Sequence, residues 1–129
     1  MLGEKQHTRT AEICIDSNGF LVFKIKPGSV IDEEDALDNF LVIKTLTKNK
    51  KFLKLIDLRG NWKITKKAKE VSRKNISPEN TFARAYIIDS FLTRLMLNFF
   101  KSFAKPEVPQ EFFKNENDAV NWLLSFNKK

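Results

Sequence analysis

Two aspartates each lie at the end of a predicted β-strand, and they are the residues from which a functional site is most easily built. Asp57 closes the apolar run at residues 52–58, and Asp89 follows the strand predicted at residues 82–88. The carboxyl ends of parallel strands meet at one edge of a sheet, where open α/β proteins bind their ligands. The side chains that could complete a polar pocket there are Arg59, Thr65, Ser90 and Arg94.

These residues do not form a recognisable catalytic group. Paired carboxylates perform acid–base chemistry only when their separation and burial split their pKa values. No nucleophile–base pair or glycine-rich phosphate loop accompanies them, and the single histidine (His7) and single cysteine (Cys14) leave no structural zinc set. We favour the simpler interpretation that Asp57 holds its own loop and Asp89 caps a helix. We therefore expect a protein that is not an enzyme and that needs no cofactor.

Three apolar side chains are candidates for a contact with a partner. Trp62 follows the 52–58 strand among basic residues, while Phe91 and Leu97 lie beside the main apolar stripe of a helix predicted at residues 90–103. That stripe of Leu, Met and Phe residues is typical of a buried helix face, although it could also line a cavity for a small apolar ligand. Trp62 could equally fold back over the edge of the sheet.

The net charge of +7 is concentrated in one segment. Residues 44–74 contain twelve Lys and Arg residues against two acidic ones, a local charge of +10, so the rest of the chain carries −3. Such a field favours anionic partners. The residues assigned to this basic surface are Lys63, Lys66, Lys67, Lys69, Arg73 and Lys74. Because no row of aromatic residues and no known reading motif accompanies them, nucleic-acid binding is the weakest alternative.

Hydrophobic periodicity predicts the elements that would position these residues. Residues 10–16 and 20–26 alternate around Asn18-Gly19, which predicts a hairpin with a type I′ turn. Further strands are predicted at 52–58, 82–88 and 111–114, and helices are predicted after Asp32, Thr65, Asp89–Ser90 and Asn115. The resulting order β-β-α-β-α-β-α-β-α predicts an α/β fold with a mixed, mostly parallel five-stranded sheet and four helices.

The first of these helices has a predicted core-facing stripe. Ala36, Phe40 and Ile43 recur at helical spacing, with Leu37 and Leu41 beside them.

The chain is expected to form one domain at residues 10–127, preceded by a flexible arm at residues 1–9. No apolar run approaches the roughly 20 residues that a membrane span requires. The amino terminus also lacks the apolar core of a signal peptide. We therefore expect a cytoplasmic protein without a membrane span.

Two segments give the chain a resemblance to a known family. The closing segment at residues 112–123 has the pattern Phe-Phe, polar turn, Ala, two residues, Trp-Leu, and the sequence of residues 90–100 predicts an apolar helix with a serine at its start. With the hairpin and the strand that ends near Asp57, these resemble the SpoIIAA-like (STAS) family, in particular a small bacterial subgroup of unassigned function. The resemblance extends from Thr10 onward and implies a fold more than a function.

The chain departs from the family at its best-known motif. Anti-sigma-factor antagonists of this fold carry Asp-Ser-(Ser/Thr)-Gly after the strand that corresponds to residues 52–58, and the serine is phosphorylated to release the partner. Here the sequence at residues 57–60 is Asp-Leu-Arg-Gly. Thr65 and Ser90 are the nearest hydroxyls at predicted helix starts, and neither lies in that motif. The usual phosphoserine switch is therefore not expected.

The first hypothesis is a non-enzymatic STAS-like domain that acts through protein–protein contacts, as a homodimer and with an unknown protein partner. The second is a carrier or sensor of a small apolar or amphipathic ligand. The third, and weakest, is nucleic-acid binding through residues 44–74.

Overall fold

The computed structural model describes residues 4–48, 50–75, 81–89 and 108–127. Within these ranges the chain forms eight strands and three α-helices. The strands are β1 (Gln6–His7), β2 (Ala11–Ile15), β3 (Leu21–Ile25), β4 (Val30–Ile31), β5 (Phe52–Asp57), β6 (Lys63–Ile64), β7 (Thr81–Ile87) and β8 (Gln110–Phe113). The helices are α1 (Glu33–Thr47), α2 (Lys66–Asn75) and α3 (Glu116–Leu124), and a 3-10 turn follows at Ser125–Asn127.

The main sheet has six strands in the order β1-β2-β3-β5-β7-β8. The pairs β1–β2 and β2–β3 are antiparallel, whereas β3, β5, β7 and β8 are parallel to one another. A separate pair of parallel two-residue strands, β4 and β6, joins the segment before α1 to the segment before α2. The prediction of a mixed, mostly parallel α/β sheet is confirmed. All five predicted strands are present, and β1 is an additional sixth strand.

The sheet carries helices on both faces. Ala36 of α1 and Ala68 of α2 pack with Ile25, Leu58 and Tyr86 on one face. On the other face, α3 packs against β5 and β7. The buried residues of this second cluster are Phe20, Leu53, Leu55, Ala83, Ala85, Ile87, Ala119 and Leu123. The predicted caps of α2 and α3 are also present. The helix predicted at residues 90–103 lies outside the described residues.

The hairpin forms as expected, but its turn is not of type I′. Gly19 has a φ of +80°, but the φ of Asn18 is not positive. Among the described non-glycine residues, Lys48 alone has a positive φ. The Asp16 carboxylate instead accepts the Asn18 and Phe20 backbone N–H groups at 3.0 and 2.9 Å. A single residue in the left-handed region, after a turn held by an aspartate, replaces the two that the sequence suggested.

A cluster of polar side chains determines which face of α1 is buried. Asp32 and Asp35 form a reciprocal capping box, each carboxylate accepting the other residue's backbone N–H at 2.9 Å. Asp35 and Asn39 are both buried. The Asn39 amide donates to the Thr10 hydroxyl at 3.0 Å, and its carbonyl accepts from the Thr8 hydroxyl at 2.6 Å. These bonds fix which face of α1 meets the sheet.

The same orientation leaves two apolar residues of α1 in solvent. The sequence analysis placed Leu37 and Leu41 beside the core-facing stripe, but their side chains are 49% and 63% exposed. Successive helical residues are about 100° apart, so drawing Asp35 and Asn39 inward turns both leucines outward. This expectation was wrong because the partners of Asp35 and Asn39 lie far away in sequence.

The amino-terminal segment is tied to the domain from Gln6 onward. Gln6 and His7 form β1 against β2, where they pair with Ile13 and Glu12. Arg9 donates from Nε to the Asp35 carboxylate at 2.9 Å and from Nη2 to the Val30 carbonyl at 2.8 Å. The expectation of a flexible arm over residues 1–9 therefore did not anticipate the contacts of residues 6–9, which depend on long-range partners.

The Arg9–Asp35 pair predicts a pH-dependent stability. The hydrogen bond from Arg9 lowers the pKa of Asp35, burial opposes this shift, and the bonds to Asp32 reinforce it. A carboxyl with a lowered pKa stabilises the fold above its unfolded pKa of about 3.9, and this contribution disappears as pH falls through the folded value. We expect Arg9→Met to unfold at a lower temperature than the wild type near neutral pH, with the gap closing in acid.

Thermal unfolding followed by circular dichroism between neutral pH and about pH 3 measures this gap. Lys66→Met is the matched control, because Lys66 is an exposed cation at the start of α2. A gap that stays constant with pH would show that Arg9 contributes packing and no charge pairing.

Candidate functional site

The carboxyl ends of β5 and β7 bring together the charged residues that the sequence analysis selected. Asp57 is the last residue of β5 and pairs with Ile87, the last residue of β7. Asp89 follows β7 by two residues, and Glu116 begins α3 after β8. We define Asp57, Arg59, Asp89 and Glu116 as the edge cluster.

Asp57 is bound almost entirely by its neighbour Arg59. One carboxylate oxygen of Asp57 accepts the Arg59 backbone N–H at 3.1 Å and the Arg59 Nε at 3.0 Å. The other accepts the Arg59 Nη2 at 2.7 Å. This two-pronged contact is the geometry in which guanidinium and carboxylate bind most strongly. It closes the loop after β5 on itself.

Asp89 holds the same loop from the neighbouring strand. Its carboxylate accepts the Gly60 backbone N–H at 3.3 Å. Gly60 has a φ of +113°, and a Cβ there would lie 3.3 Å from the Cα of Pro27. The loop therefore needs glycine for both its backbone conformation and its close approach to Pro27.

The electrostatics of the edge cluster favour fixed charges over proton transfer. Burial raises the pKa of Asp57, but the hydrogen bonds and charge of Arg59, together with Lys24, outweigh it and leave the pKa lowered. The hydrogen bond to Asp57 raises the pKa of Arg59, with smaller contributions from Glu116 and Asp89. A carboxylate held ionised in this way is a poor general acid or base near neutral pH. The geometry agrees with a structural role for Asp57.

Trp62 folds back over the sheet. Its indole N–H donates to the Leu58 carbonyl at 2.8 Å. The ring is half-buried and packs against the cluster that contains Ile25, Ile31 and Ile88. Of the two interpretations that the sequence left open for Trp62, this geometry corresponds to packing on the sheet.

Thr65 caps α2, and the rest of that helix is strongly basic. The Thr65 hydroxyl accepts the Ala68 backbone N–H at 3.1 Å. Ala68 faces the core, while Arg73 pairs with Glu70 at 3.2 Å. The exposed basic residues near it are Lys63, Lys66, Lys67, Lys69 and Lys74.

Four predicted site residues lie outside the described part of the chain: Ser90, Phe91, Arg94 and Leu97. Whether they join the edge cluster or an interface stays a prediction. Among described residues, no group of three or more His, Cys, Asp or Glu side chains could hold a metal ion.

With this geometry in place, the chain can be compared with known proteins. Residues 13–127 match a sequence family described as Domain of unknown function (DUF7793). The chain belongs to the DUF7793 family. No curated protein sequence matches this DUF7793 domain.

The DUF7793 domain is similar in structure to an uncharacterised protein of the DUF3478 family from Shewanella loihica PV-4, whose crystal structure has a SpoIIAA-like fold. The TM-score is 0.66 at 19% sequence identity, and the match covers 94% of this chain and 99% of that chain. Similarity at this identity establishes the fold and carries no activity with it. The SpoIIAA-like fold expected from the sequence is confirmed. In the described ranges, no helix is both long and apolar enough to cross a bilayer.

Proposed function

We propose that this DUF7793 domain is a non-enzymatic, cytoplasmic interaction domain that forms a homodimer through the outer face of α1. The observation that carries the proposal is the exposed pair Leu37 and Leu41 on a helix whose opposite face is buried. Exposed apolar side chains that lie together commonly mark a protein contact. The closed Asp57–Arg59 pair, which holds the Asp57 carboxylate in a two-pronged contact, supports a role without catalysis.

The outer face of α1 has an apolar centre with a negative charge towards its amino-terminal end and a positive charge towards its carboxyl-terminal end. Glu34, Leu37, Leu41 and Lys44 are all exposed and follow one another at spacings of three, four and three residues, which places them on one side of the helix. We call these four residues the α1 stripe. Acidic residues dominate the first turn of α1, and Lys44 lies in its last turn.

This stripe is complementary to a second copy of itself. In an antiparallel α1–α1 contact centred at the level of Asn39, Leu37 of one copy faces Leu41 of the other. The same register places Glu34 opposite Lys44, because both lie five residues from position 39. A two-fold contact makes each such pair twice. The charge pattern therefore supports another copy of this chain as the occupant.

The proposed contact is small. The helix has 15 residues and a length of about 22 Å. A pair of such helices buries less than the standard interface of about 1,600 Å². We therefore expect a reversible dimer with a dissociation constant in the micromolar range.

Charge reversal tests the register of this dimer. Glu34→Lys alone places lysine against Lys44 at both contacts, and Lys44→Glu alone places glutamate against Glu34 at both. At up to about 1 kcal/mol for each altered pair, we expect either variant to dissociate about tenfold more readily at low salt. A mixture of the two variants restores both opposite-charge pairs in the heterodimer, so it should associate as well as the wild type.

Sedimentation velocity over a range of concentrations measures these constants. Lys67→Glu, which reverses an exposed charge on α2, serves as the control for net charge. A wild type that stays monomeric at high concentration, or a mixture that associates no better than its components, would overturn the proposal.

A further inference from the structure

Two cationic side chains lie next to each other on the α1–α2 face of the sheet. Lys54 of β5 and Arg84 of β7 are direct partners across the parallel ladder. Neighbouring strands are about 4.8 Å apart, so these side chains leave the same face side by side. Leu21 on β3 and Gln110 on β8 occupy the flanking positions of the same row.

Both cations are withdrawn from water. Arg84 is 6% exposed, and Lys54 is half-buried. Burial lowers the pKa of Lys54 to about 8, and the charge of Arg84 contributes to this shift. Tyr86 lies next along β7 on the same face, and burial raises its pKa to about 12, although the charge of Arg84 and a side-chain hydrogen bond between Arg84 and Tyr86 oppose that shift. This hydrogen bond to a neutral phenol compensates the buried Arg84 charge only in part.

No carboxylate in the described residues forms a salt bridge with either cation. The acidic partners in the described salt bridges are Glu12, Asp32, Asp35, Asp57 and Glu70, and these pair with other residues. Asp57, on β5, points to the opposite face from Lys54 because side chains alternate along a strand. Burying a charge is strongly unfavourable unless an opposite charge or several hydrogen bonds compensate for it.

We propose that Lys54 and Arg84 form a binding site for a small oxyanion, with inorganic phosphate as its simplest occupant. A guanidinium can donate two parallel hydrogen bonds to two oxygens of such an anion, and an ammonium can reach a third. The oxyanion would remove the repulsion between the two cations. The half-buried Lys54 provides the side from which the anion enters, whereas Arg84 forms the deeper wall.

The site is separate from both the edge cluster and the α1 stripe. Lys54 and Arg84 lie in the middle of β5 and β7, on the face of the sheet opposite to the Asp57 side chain, whereas the edge cluster lies at the carboxyl ends of these strands. The anion site and the proposed dimer can therefore be tested independently. Lys54 belongs to the segment at residues 44–74 that carries a charge of +10, which raises the local concentration of anions.

Thermal unfolding of the full chain near neutral pH tests the site. Sodium phosphate is added at low millimolar concentration while sodium chloride keeps the ionic strength constant. A ligand that binds only the folded state raises the unfolding temperature in a saturable way. We expect such a rise for the wild type, and its loss for Lys54→Met and Arg84→Met.

Lys67→Met is the matched control, since it removes an exposed lysine from α2 and should keep the full response. Lys54→Met remains decisive if Arg84→Met does not fold, because Lys54 is only half-buried. Titration of the ¹⁵N-labelled wild type with phosphate supplies a second readout, with the largest amide shifts expected in β5 and β7. A response to sulfate and phosphate alone would define a divalent tetrahedral oxyanion, and an added response to acetate would widen the class to carboxylates.

Two results would overturn the site. One is a wild type whose unfolding temperature is the same in phosphate and chloride. The other is a phosphate response of equal size in Lys54→Met, which would show that the anion binds elsewhere.

Discussion

Leu41→Glu is expected to raise the dissociation constant of the homodimer by about 30- to 150-fold, because each dimer loses two apolar contacts worth about 1–1.5 kcal/mol apiece. Leu41 is the most exposed large apolar residue of α1. In the proposed register its replacement places a carboxylate against Leu37 of the second copy, where the charge would lose water without gaining a partner. Sedimentation velocity gives the constant, and native mass spectrometry gives the stoichiometry.

The same variant should leave the fold intact, since its side chain is 63% exposed in the single chain. Phe82→Glu provides the matched control. Phe82 is also a large apolar residue, 55% exposed, but it belongs to β7 and not to α1. If Phe82→Glu abolished the dimer while Leu41→Glu preserved it, the interface would lie along β7 and the α1 stripe would be an ordinary solvated surface.

Trp62→Ala is expected to lower the free energy of unfolding by about 2–4 kcal/mol, somewhat less than the loss of a fully buried aromatic residue because the ring is half-buried. The indole ring covers the core beside Leu58 and donates its N–H to the Leu58 carbonyl at 2.8 Å. Trp62→Phe should cost less, about 1–2 kcal/mol, because an aromatic ring remains while the hydrogen bond is lost. Urea unfolding followed by circular dichroism measures both losses.

This pair of variants also separates packing from recognition at Trp62. If the residue packs on the sheet, the folded Trp62→Phe variant should dimerise with the wild-type constant. A Trp62→Ala variant with unchanged stability but weaker self-association would instead support the other interpretation of the sequence, in which Trp62 contacts a partner.

Local sequence patterns were sufficient for most of the framework. The alternation of apolar and polar residues predicted the strands, and the capping side chains of Asp32, Thr65 and Asn115 predicted three helix starts that the structure contains. These signals are local, since a cap or a strand face depends on residues only a few positions apart. The same logic located Asp57 and Asp89 at strand ends.

The missing parts depend on contacts that no local pattern records. Leu37 and Leu41 look like core residues until Asp35 and Asn39 are known to bind the distant Arg9, Thr8 and Thr10. Lys54 and Arg84 lie on predicted strands, but only the parallel register makes them neighbours. The strand β1 consists of two polar residues, too few to show any period. The orientation of α1 and the pairing of the strands could therefore not be predicted from local sequence patterns.

That short strand has a further consequence for the behaviour of the protein in solution. A long bare edge of β2 would offer its backbone groups to any other extended chain and could seed open-ended growth of the sheet. Gln6 and His7 occupy part of that edge, and His7 lies 3.8 Å from the Glu12 carboxylate. These two polar residues pair with β2 on one side, and on their other side they expose too short and too polar an edge to pair readily with another chain. Trimming the chain before Thr8 should therefore favour aggregation more than unfolding.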